Sequence, residues 1–162
     1  MKHAYFARYL GIISTLIVIM IASTGFLGNF GNSSMDTGRL EKEIQSFAEN
    51  VERDGNAMRF TVNDVVLYCF TDENHDRMRF ITEIAEASEL TDAQKDAMLN
   101  ANFHSALDAR YAVSNGFVYG AFIHPLSPLT SQQIQSGAYQ VANLSLTFGS
   151  EYASGGLSFG AQ

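Results

Sequence analysis

From residue 9 to residue 28 the chain reads YLGIISTLIVIMIASTGFLG, an apolar run without a single charge, and beyond it apolar positions recur only in short periodic patterns. At about 1.5 Å per residue, such a run is long enough to cross a hydrocarbon core of roughly 30 Å as one helix. Leu10, Ile13, Leu16, Ile17, Ile19 and Ile21 would supply its apolar surface. Lys2 and Arg8 precede the run and no acid lies near it, so the positive-inside tendency keeps the N-terminus inside and exports the rest. The run exceeds the core of an ordinary secretory signal, and Ala22, Ser23, Thr24 and Gly25 make no clean small-x-small cleavage site. The reading is therefore a retained anchor over 1–28, with a cleaved signal as the alternative. A Gly/Asn/Ser-rich linker, 29–38, follows.

Apolar residues Leu40, Ile44, Phe47 and Val51 then recur at helical spacing, with Glu41, Lys42, Glu43, Glu49 and Glu52 between them. This predicts an amphipathic helix over 39–53, ended by Asp54-Gly55-Asn56. The stretches AMRFTV, VVLYCF and DRMRFITEI are β-branched and aromatic, and are separated by Asn63-Asp64 and by the acidic turn 71–75. They predict an antiparallel meander over 57–84. Thr91 caps a second helix over about 91–101. The runs 106–114 and 117–124 flank Asn115-Gly116, whose two residues suit the positive φ angles of a tight hairpin turn. After the turn PLSPL a third helix starts at Thr130, where Gln133 completes capping-box spacing, and Ile134, Ala138, Val141, Ala142 and Ser145 form its apolar face. The end from Gly149, rich in Gly and Ser, reads as a flexible appendage. The fold class is α+β: a transmembrane helix, then an antiparallel sheet of about five strands packed with three helices.

Charge narrows the partners. Of 10 Lys and Arg, Lys2 and Arg8 lie before Asp36, whereas all 17 Asp and Glu lie at or beyond it. The domain is strongly acidic, which excludes nucleic acid as a partner because phosphate binding needs a basic face. Cys69 is the only cysteine, so no intramolecular disulfide or multi-cysteine metal site can form.

The order of elements, the acidic domain and the run DARYAVSNGFVYGAFIHPLSPLTSQQI leading into the last helix resemble the type III secretion chaperone-like fold, especially its YbjN branch, over about residues 39–148. That resemblance implies a small non-enzymatic protein that binds other polypeptides and often forms dimers.

Sites of chemistry are sparse. Asp72, Asn74, Asp76 and Glu83 match four oxygen positions of a calcium loop, but Arg77 stands where that loop needs glycine and Arg79 adds a second cation. His3, His75, His104 and His124 have no ligand spacing, Cys69 reads as a buried hydrophobe, and no serine-nucleophile or phosphate-loop motif occurs. No cofactor or metal is expected. A hydrolase or metal enzyme would require His104, His124 and Cys69 or Asp108 to converge in one pocket. Protein binding is the better reading, carried by Asp108, Arg110, Tyr111, Phe117, Tyr119 and Phe122, with Gly120 leaving a gap for an approaching chain. The expectation is thus a membrane-anchored, periplasmic protein-binding module of a bacterial inner membrane, an accessory subunit or assembly factor with protein partners, the lipid bilayer at 9–28 and a possible homodimer. A signal-cleaved soluble periplasmic chaperone or regulator is the alternative.

Overall fold

The computed structural model describes residues 34–160. Helix α1 (Thr37–Gln45) is followed by strands β1 (Glu49–Asp54), β2 (Ala57–Val62), β3 (Val65–Asp72) and β4 (Arg77–Glu86). A short 3-10 turn, helix α2 (Asp92–His104), strands β5 (Arg110–Ser114) and β6 (Phe117–His124) and helix α3 (Ser131–Leu146) complete the domain. The strands make one antiparallel sheet in the order β1-β2-β3-β4-β6-β5.

Turn chemistry sets this sheet. Asn63 and Asp64 both take positive φ, 50° and 64°, between the paired ends Val62 and Val65. Asn115 and Gly116 do the same at 51° and 85° between Ser114 and Phe117. These are the torsions of a type I′ turn, whose twist matches that of the flanking strands.

Alternation then sorts the side chains. Met58, Phe60, Leu67, Cys69, Met78, Phe80, Val118 and Phe122 all fall on one face, and all are buried. Leu40 and Ile44 of α1 and Ile134, Ala138, Val141, Ala142 and Leu144 of α3 close that face, each at 0 % exposure. The Phe60 ring meets Phe80 edge-on at 5.6 Å, and Phe80 stacks on Phe122 at 6.1 Å. Helix and sheet approach closely at two glycines. A Cβ on Gly137 would lie 2.8 Å from the Phe122 ring, and one on Gly120 would lie 3.3 Å from the Val141 carbonyl. The gap expected at Gly120 for a partner is therefore filled from within by α3.

Three expectations need correction. The first helix ends at Gln45 instead of continuing to 53, because residues 49–54 pair with β2 as a sixth strand. Gly55, at φ 60°, turns this hairpin rather than ending a helix, and a bulge between Glu49 and Glu52 accommodates Asn50 at φ 52°. Phe47 and Val51 still reach the core, from the turn and the strand.

The Gly/Ser-rich end folds back instead of trailing. The Ser154 amide donates to the Ser105 carbonyl at 3.0 Å, and Tyr152 packs its ring against Tyr111 and Phe148 at 6.0 and 5.5 Å.

The fold class with an N-terminal transmembrane helix, and the inner-membrane location with a periplasmic domain drawn from it, are not upheld. Among the described residues no helix is long and apolar enough to cross a membrane. The stretch 9–28, with Leu10, Ile13, Leu16, Ile17, Ile19 and Ile21, lies outside the described residues.

Candidate functional site

Both α1 and α3 lie over one face of the sheet, and among the described residues no helix covers the other. Register places Arg59, Tyr68, Ile81, Ala121 and Arg110 in one row across that open face. Ala57, Phe70, Arg79 and Ile123 form the next row. Ile123 is 65 % exposed and Tyr68 40 %, both large apolar surfaces left to solvent in the middle strands. The Arg79 guanidinium sits 5.6 Å over the Phe70 ring, which holds the charge beside an aromatic surface.

Ile123 stands between two depressions. One, of about 410 Å³, is lined by Phe70, Arg79 and Ile123 together with Asn56 and Arg77. The other, of about 390 Å³, lies where the sheet meets the start of α3 and brings Asp108, Arg110, Ile123, His124 and Gln140 together. Gln140 organises this second cleft. Its Oε1 accepts from the Asp108 and Ala109 amides at 2.9 and 3.0 Å, and its Nε2 donates to the Asp108 carboxylate and the Ser136 hydroxyl. Leu107, at φ 55°, turns the chain into this position, and the Arg110 guanidinium donates to the Leu107 and Ala109 carbonyls.

The residues expected to bind protein thus divide. Asp108 and Arg110 are exposed at the cleft, where Arg110 bonds to the Leu107 and Ala109 carbonyls. Phe117 and Tyr119 are half-buried on β6. Tyr111 and Phe122 belong to the core: Tyr111 donates its hydroxyl to the Leu144 carbonyl at 2.8 Å, and burial pushes its pKa up to about 12. The sequence reading missed Tyr68, Phe70, Arg79, Ile123 and Gln140. The signal for the first four was present in the alternation of 65–72, 77–86 and 117–124, but alternation does not say which face the helices cover.

Of the groups considered for catalysis, Asp108 and His124 line the same cleft, whereas Cys69 and His104 lie away from it. Cys69 is buried, and desolvation pushes its thiol up to about 12, so no thiolate nucleophile is at hand. His104 bonds to the Phe159 carbonyl, and His124 stacks on Phe122 and bonds to the Pro125 carbonyl. Among the described residues no three His, Cys, Asp or Glu side chains are placed to hold a metal ion.

The acidic turn resembling a calcium loop is a clamp between segments. Asp76 accepts from the Ser127 amide and hydroxyl at 2.6 and 3.0 Å, and Glu73 accepts from the Thr37 amide at the start of α1 at 2.9 Å. Asp72 bonds to the His75 ring and amide. These hydrogen bonds hold all three carboxyls below their ordinary values: His75 acts on Asp72, Thr37 on Glu73 and the Ser127 amide on Asp76. A carboxyl whose pKa is lower in the folded state stabilises the fold above its unfolded value and loses that contribution as pH falls through the folded one. Stability therefore declines on the acid side of 4.5 and 3.8, the ordinary Glu and Asp values. Asp76→Asn lowers the melting temperature at pH 7, and its deficit relative to wild type shrinks progressively below pH 3.8 when melting is followed by circular dichroism.

This architecture is that of the type III secretion chaperone-like fold. No family model matches the chain, and no curated protein does. Among solved structures it is similar to the Yersinia pestis type III secretion chaperone SycH in complex with a stable fragment of YscM2, at 13 % identity and a TM-score of 0.54 over 69 % of this chain and 98 % of that one. It is also similar to a chain of the HopA1–SchA chaperone–effector complex, at 10 % identity and a TM-score of 0.53 over 67 % of this chain and 88 % of that one. A chain of the ExsC–ExsE complex matches at 10 % identity and a TM-score of 0.50, over 69 % and 95 % of the two chains. At these identities the likeness is one of fold. It bears out the resemblance to secretion chaperones and does not single out the YbjN branch.

Proposed function

We propose that the domain is a non-enzymatic, chaperone-like protein-binding module whose open sheet face receives a segment of another polypeptide. The observation that carries this reading is the helix-free face with Ile123 and Tyr68 left to solvent between two depressions. Large apolar side chains beside arginines are the composition of protein-binding surfaces, where aromatic groups and Arg supply most of the affinity. The three similar structures each hold two different proteins in complex, which agrees with a polypeptide as the ligand class. Asp108, Arg110 and Tyr119 extend the same surface; Tyr111 and Phe122 support it from beneath.

Photo-crosslinking in the native host tests the reading. A benzophenone amino acid at Ile123 or Tyr68 yields a discrete adduct with another polypeptide, and one at the exposed Lys42 of α1 does not. Equal labelling from all three positions, or no adduct from the open face, overturns it.

A further inference from the structure

A sheet of this kind has two edges at which another strand could pair, and the two differ. Strand β1 carries Glu49, Glu52, Arg53 and Asp54 and is bulged, features that discourage pairing. Strand β5, with the sequence RYAVS, carries one charge, Arg110 at its start, and no bulge. In an antiparallel pair, alternate residues direct their N–H and C=O away from the partner. Because Ser114 and Phe117 close a two-residue turn, the outward residues of β5 are Val113 and Tyr111. Tyr111 is covered: the Asn102 side chain, on α2, accepts from the Tyr111 amide at 2.7 Å and donates to the Tyr111 carbonyl at 3.0 Å. A primary amide offers one donor and one acceptor in the arrangement a neighbouring backbone would offer. Val113, 59 % exposed, presents the second outward pair without such a cover.

We infer that Asn102 is a side-chain plug that keeps the β5 edge from pairing with a second copy of this chain. The edge is self-complementary once uncovered. A twofold axis through Ala112 sets Tyr111 of one copy against Val113 of the other, so that the outward groups of both residues are satisfied twice over. With Asn102 in place only Val113 is open, and a single residue does not define a strand pair. The inference is independent of the polypeptide proposed for the open face, since edge pairing leaves that face uncovered.

Asn102→Ala, made in the full chain, tests it. Exchange of the Tyr111 amide is expected to quicken by about tenfold in dilute solution. At high concentration the mass measured by light scattering should rise to about twice that of wild type under the same conditions. Adding Val113→Pro removes the remaining outward N–H, without touching the bonds to β6, and abolishes the increase. Asn102→Asp keeps an acceptor for the Tyr111 amide, and its charge opposes pairing, so it retains the slow exchange and the wild-type mass even if the alanine variant loses α2. Wild-type mass for a folded Asn102→Ala, an increase that survives Val113→Pro, or an Asn102→Asp protein that associates as Asn102→Ala does would each overturn the plug.

Discussion

Replacing Phe80 with alanine lowers the free energy of unfolding by about 3–5 kcal/mol, the range for deleting a large aromatic group from a close-packed core. Phe80 is fully buried and lies between two other rings, at 5.6 Å from Phe60 and 6.1 Å from Phe122. Its neighbours cannot collapse into the space, because Phe122 is held against Gly137 by the close approach of α3. Urea denaturation is the measurement: the midpoint falls while the slope stays that of wild type, since the same surface is exposed on unfolding. A loss below about 1 kcal/mol would show that the helix face can repack around the cavity.

Gln140→Leu costs about 2–4 kcal/mol by a different route. The leucine fills the volume but leaves the Asp108 and Ala109 amides without the Oε1 that both now use. Ala109 is fully buried, so water does not replace the lost acceptor there. Urea denaturation gives the loss, and amide exchange locates it: Ala109 quickens in the variant while the centre of β3 does not. Because the same bonds place Asp108 and Arg110 at the cleft beside Ile123, the substitution also removes whatever binding this end of the open face supports.

Much of the fold could be read along the chain wherever one residue type answers one geometric demand. Asn63-Asp64 and Asn115-Gly116 were readable as hairpin turns because few residues accept positive φ twice in succession. Thr91 and Thr130 were readable as helix starts because their hydroxyls meet the amides of Gln94 and Gln133. Strand β1 was not, since ENVERD has no apolar alternation and its partner is set by a turn at Gly55 that serves a helix end equally well. The same limit hid the candidate site. Alternation divides Tyr111 from Arg110 and Phe122 from Ile123, but only the position of α3 decides that the first of each pair is core and the second is surface. Gln140 and Asn102 were invisible for another reason: Gln140 acts on backbone far back in the chain and Asn102 on the strand that follows its own helix, and no periodic pattern records either bond.

The strand order carries a consequence for the path of folding. Strands β1 to β4 succeed one another by short turns, whereas β4 finds its other neighbour only in β6, where Glu86 meets Phe117 across the whole of α2 and β5. The entropy of closing that loop must be met before the pairing returns any energy. Residues 49–86 can therefore assemble early as a local unit with β4 as an open border, and the β5–β6 hairpin, itself formed locally at Asn115-Gly116, docks afterwards. During that interval the unpaired edge of β4 is open to pairing with the wrong partner.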